Sequence, residues 1–155
     1  MTKLSLSAVA QQAGLSRMTI YRFFASKDEL ISEFTRYESD KMEESLLKAT
    51  AGLRGAQRLD ATLQFIVTYQ NSYPGVRMLD LEPGQVIERL SGLVPALRAR
   101  LQAIIAGPDA DLAAATVIGV ALSHYVFQGD DSDAFLAQLR YAAGVLRSPT
   151  GRSAC

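Results

Sequence analysis

The groups able to do chemistry at the start of the chain are hydroxyls and cations. Ser5, Ser16, Thr19 and Tyr21 stand with Lys3, Arg17, Arg22 and Lys27, and no carboxylate occurs before Asp28. Such a set donates hydrogen bonds and attracts anions. The chain is neutral overall, so positions 28 to 155 hold twelve basic and sixteen acidic residues. A basic head on an acidic body suits a small element that faces nucleic acid, on a body that repels phosphate. Four charges alone read better as a solvated helix surface, so the elements that carry them must decide.

Elsewhere chemistry is sparse. The chain has one histidine, His124, and one cysteine, the terminal Cys155, so neither a zinc site nor a Cys-His pair nor a disulfide can be assembled. The run Gly129-Asp130-Asp131-Ser132-Asp133 lacks the spacing of a calcium loop and reads better as a loop that caps the next helix. Phosphate-cradling and dinucleotide glycine motifs are absent. No catalytic residue, metal or cofactor is expected, and the chain does not read as an enzyme.

With 155 residues, 48% hydrophobic and 21% charged, the composition is that of a soluble globular protein of one domain or a small head on a larger body. Ala, Leu, Gln and Arg prevail over β-branched runs, which favours an all-α fold. The longest apolar run, Leu112 to Leu122, falls short of the roughly 20 residues that cross a bilayer, and no secretory pattern opens the chain. A cytoplasmic protein without a membrane partner is expected.

Ser5 can cap a short helix over Leu6 to Ala13, with Leu6, Val9, Ala10 and Ala13 on one face. Gly14 ends it, and Ser16 can cap a second short helix from Arg17 to Phe24, with Ile20 and Phe24 inward. Ser26-Lys27-Asp28-Glu29 has the capping-box pattern and predicts a long helix up to about Gly52, marked by Leu30, Phe34, Tyr37 and Lys41. Residues 1–50 then form the head and 51–155 the body. Body helices are predicted at about Ala56 to Ser72, Gln85 to Ser91, Pro95 to Ala106, Leu112 to Gln128 and Asp133 to Arg147, with a disordered tail from Ser148.

Two short helices joined by a Gly turn, the second bearing outward basic, hydroxyl and aromatic groups, form a helix-turn-helix pattern. At Val9-Ala10, Ala13-Gly14-Leu15-Ser16, Ile20-Tyr21, Phe24, Ser26-Lys27-Asp28 and Leu30 the sequence resembles the tetracycline-repressor-like (TetR-type) transcriptional regulators. The resemblance implies an all-α helix-turn-helix head followed by a helical body for ligand binding and dimerisation. It implies DNA contacts from Ser5, from Ser16, Arg17, Met18 and Thr19 at the start of the recognition helix, from Tyr21 and Arg22 further along, and from Lys27. Lys27 and free amides at its helix start could share a phosphate.

Two departures from the family pattern are visible. Phe23 stands where the family usually has a polar ring. Members also carry a whole helix before this motif, whereas only Met1 to Leu4 precede it here. The expected explanations, in order, are an upstream start, a head partly disordered when free, and a partner that covers the apolar face. A chain complete as given should bind DNA poorly.

In the body, Ala113, Ala114, Gly119 and Ala121 keep further faces of the helix Leu112 to Gln128 small or apolar, so a second surface must be buried, and with the helix Asp133 to Arg147 this points to a homodimer through residues 112–147. Phe65, Tyr69, Tyr73, Met78 and His124, with Leu81 and Tyr125, could line a pocket for an unknown small-molecule effector. Each of these residues alone fits plain core packing, and the pocket is implied mainly by the resemblance. The leading expectation is a ligand-responsive regulator, a repressor, acting as a homodimer on a near-palindromic operator. The alternative is a truncated interaction protein of the same family that binds DNA weakly, and an all-α enzyme or carrier ranks last.

Overall fold

The computed structural model describes residues 4–72, 80, 82–127 and 131–145. Among them seven helices are delimited and no strand, so the fold is all-α. The helices are α1 (Leu6–Gln12), α2 (Arg17–Phe23), α3 (Lys27–Ala49), α4 (Gly55–Asn71), α5 (Pro83–Gln102), α6 (Ala110–Phe127) and α7 (Ser132–Ala142). The described residues fall into two compact units, one within 1–45 and 75–87, the other within 46–74 and 88–155.

The first unit is ordered by short-range capping. The Ala8 amide donates to Ser5 Oγ at 3.1 Å and the Thr19 amide to Ser16 Oγ at 3.1 Å, so each short helix has its hydroxyl cap. Gly14 takes φ 67°, the left-handed conformation that glycine adopts without steric penalty. That turn lets the Leu15 amide reach back to the Ala10 carbonyl at 2.8 Å and closes α1. Leu6, Ala10 and Ile20 are buried together, and Val9, Phe24 and Leu30 pack against them. Burial of Ile20 is worth about 1.5 to 3 kcal/mol, a large share for so small a core.

The second unit has the main core. Leu59, Leu63 and Val67 recur every fourth residue on α4 and meet Ala114, Val117 and Ile118 of α6 and Phe135 and Leu139 of α7. An ion pair braces the same contact between α4 and α7: Arg140 Nε donates to Asp60 Oδ1 at 2.7 Å and Arg140 Nη2 to Oδ2 at 3.0 Å. These bonds hold the Asp60 carboxyl below its ordinary range, against burial, which pushes it up, and with help from the Gln64 amide.

Three details differ from the sequence expectation. The two helices expected on either side of Pro95 are one, α5, with Pro95 inside it. Pro95 is solvent-exposed, so its ring is accommodated on the outer side of the helix, where bending is tolerated. α7 stops at Ala142 rather than at Arg147, because Gly144 at φ 73° lets the Val145 amide bond back to the Arg140 carbonyl at 2.9 Å. α6 is longer than its apolar run. Its eighteen residues, of mean hydropathy 1.5, have the length and composition of a membrane span. Ala114, Val117 and Ile118 nonetheless lie in the core of the second unit. The tail from Ser148 lies outside the described residues.

Two outcomes follow. Ile20→Ala should remove about 2 to 5 kcal/mol from the head, seen as lost amide-exchange protection over residues 6–30 while 55–71 stay protected. Because the folded Asp60 pKa is depressed below its unfolded value of about 3.9, the stability it contributes is complete above about pH 4 and lost as pH falls through the folded value. Asp60→Asn should cost about 1 kcal/mol at pH 7 and flatten the acid dependence in denaturant melts.

Candidate nucleic-acid interface

With Ile20 turned inward, helical periodicity turns the opposite side of α2 out. Arg17, Met18, Tyr21 and Arg22 are all exposed, Met18 by 85%. Thr19 is half-buried, and its hydroxyl shares a hydrogen bond with Ser16 Oγ at 2.8 Å. Ser5 Oγ accepts from the Ala8 amide and keeps its own proton to donate outward. The Arg22 guanidinium lies 5.2 Å from the centroid of the Phe23 ring, which is exposed. Phe23, the departure from the family's polar ring, thus serves as a platform for a neighbouring cation.

The first turn of α3 is more acidic than an anion site needs. Ser26 Oγ accepts from the Glu29 amide at 3.1 Å, and Glu29 Oε2 reaches back to the Ala25 amide at 2.6 Å. The expected capping box therefore forms, with the carboxylate landing one residue before the cap. Lys27 Nζ lies 2.7 Å from Glu82 Oε1, and Gln85 Nε2 donates to Asp28 Oδ1 at 3.4 Å. Sequence reasoning missed Glu82. It lies fifty-five residues from Lys27, and no local pattern links the two.

Of the residues expected to face an effector, Phe65 and Tyr69 stack on one another along α4, with ring centroids 5.7 Å apart. His124 of α6 lies flat on Phe135 of α7, with centroids 3.8 Å apart. Tyr125 is partly buried, and Tyr73, Met78 and Leu81 lie outside the described residues. A groove of about 540 Å³ runs along Leu53, Gln57, Asp60, Gln64 and Val145, and none of the expected ligand residues lines it. Gln70 escaped the sequence reasoning: its Nε2 donates to the Ala121 carbonyl at 3.1 Å, while its Oε1 is buried without a partner among the described residues. A lone glutamine in a helical pattern gives no such signal.

Residues 1–34 match the family model of the bacterial regulatory proteins, tetR family. No curated protein and no solved structure matches the chain. The matched stretch contains α1, α2 and the opening turns of α3, so it includes the whole outward face of α2 and the Gly14 turn that sets it. Over residues 1–34 the chain thus carries the DNA-binding head of the bacterial regulatory proteins of the tetR family, the head of a transcriptional regulator.

Proposed function

We propose that the chain is a ligand-responsive repressor that binds a near-palindromic operator as a homodimer. The observation that carries the DNA part is the exposed face of α2, with Arg17, Met18, Tyr21 and Arg22 on a helix pinned from behind by Ile20. Arginines there pair with guanine edges or hold phosphates, and Ser5, Ser16, Thr19 and Lys27 supply further donors. Two such helices reach successive major grooves when their centres lie about 34 to 36 Å apart. DNA as the partner puts this work in the bacterial cytoplasm.

Unpartnered apolar surface supports the dimer. Leu112 is 68% exposed, Phe127 77% and Tyr141 76%, all on α6 and α7. Surface of this kind over residues 112–147 suits a symmetric contact with a second copy. Gln70 supports the effector: a buried carbonyl oxygen in want of a donor, on the seam of α4 and α6, is the polar anchor a small molecule needs among apolar walls. An effector bound there would favour a spacing of the two heads that no longer fits the operator.

A second reading, the interaction protein with weak DNA binding, draws on the small head core of Leu6, Ala10 and Ile20 and on the carboxylates around Lys27. Retention of genomic fragments separates the two. A folded protein that selects a near-palindrome, with affinity falling steeply with salt, acts as a DNA reader, whereas one that retains nothing supports the second reading.

On a retained fragment, Arg17→Ala should weaken binding by about 1 to 3 kcal/mol if the side chain reads a base. An unchanged affinity would remove Arg17 from the site. For the dimer, Leu112→Glu combined with Tyr141→Glu should yield a monomer in sedimentation. An unaltered dimer mass would relocate the interface away from these helices.

A further inference from the structure

Among the described cations up to the first turn of α3, Lys27 stands apart. Arg17 is exposed and Arg22 lies over Phe23, whereas the Lys27 ammonium sits 2.7 Å from a carboxylate oxygen of Glu82. The pair is largely covered, with side-chain exposures of 28% for Lys27 and 17% for Glu82. Glu82 is also well fixed. It immediately precedes Pro83, the first residue of α5, and its carbonyl accepts from the Val86 amide at 3.1 Å. The contact of Gln85 with Asp28 ties the same two helix starts together a second time.

A carboxylate and a phosphate present one ammonium with the same kind of anionic acceptor. Only one of them can be neutralised by a single cation at close range, because the two anions repel each other. The neighbours do not relieve this, since Asp28 and Glu29 add further negative charge to the first turn of α3. We propose that Glu82 is a regulatory residue of the DNA-binding face: it occupies Lys27 in the place of a backbone phosphate, and DNA binding requires the exchange of carboxylate for phosphate. The inference rests on the DNA-binding reading above and adds to it a residue outside the helix-turn-helix segment that sets its affinity.

The exchange predicts a specific coupling. Glu82→Gln keeps the shape of the side chain and removes its charge, so DNA no longer has to displace an anion. Affinity for a mixed-sequence duplex, followed by fluorescence anisotropy at fixed salt, should rise about threefold, the size expected for loss of one competing ion pair. Removing any negative charge near DNA raises affinity somewhat, so the decisive comparison is the same substitution in a Lys27→Gln background, where most of the rise should vanish. Glu82→Asp, which withdraws the carboxylate by one methylene, should give an intermediate rise, and amide exchange over residues 6–30 reports whether each variant keeps its head.

An equal rise in both backgrounds would overturn the exchange and leave Glu82 as a general source of repulsion. A fall in affinity in Glu82→Gln would also overturn it, since Glu82 would then be orienting Lys27 toward the phosphate. If the wild-type chain binds and Glu82→Gln does not differ from it, this inference alone fails. If the folded wild-type and Glu82→Gln chains both leave the duplex unbound, the DNA-binding reading fails with it.

Discussion

Burial of Ile20 against Leu6 and Ala10 is the contact on which the geometry of the head depends. α2 has only seven residues, too few for a helix to persist on its own, so its form and its orientation both come from this one inward side chain and the Ser16 cap. Once Ile20 faces in, the helical period turns Met18 and Arg22 to the opposite side, with Tyr21 on the flank, while Arg17 is exposed in the first turn. The Gly14 turn then sets the angle between α1 and α2, because only a left-handed residue there allows Leu15 to close back on Ala10. The outward face of α2 is thus produced by a core of three buried residues and one backbone conformation.

The second unit solves a different problem. α6 is apolar on nearly every side, and its own chain buries only Ala114, Val117 and Ile118 completely. The remaining apolar surface gives little stability to a lone chain and a strong incentive to associate. Asp60 and Arg140 hold α4 and α7 in register at the edge of the same core, where a bidentate pair adds direction to contacts that are otherwise shape alone. Under the proposed function, the effector site and the dimer face both fall on these same three helices.

The elements of the head were legible in the sequence because their determinants are local. Ser5, Ser16 and Ser26 each precede the helix they cap, Gly14 follows the helix it ends, and Ile20 repeats the inward spacing of its neighbours. Pro95 misled for a local reason as well: proline ordinarily interrupts a helix, but here its exposed position inside α5 makes the distortion tolerable. The apolar spacing runs on past the true end of α7, where Gly144 in the left-handed conformation stops the helix. What could not be read were the long-range pairings. Glu82 on Lys27, Arg140 on Asp60 and the isolated oxygen of Gln70 depend on which helix starts and faces meet in space, and no spacing within a segment encodes that.

The measurement that tests the central claim most directly is a hydroxyl-radical footprint of the purified chain on a fragment selected from its source genome. Two recognition helices of a symmetric dimer predict two protected patches on one face of the duplex, centred about 10 base pairs apart and lost with rising salt. Uniform cleavage along every selected fragment, from a chain shown to be folded, would contradict a DNA-reading head.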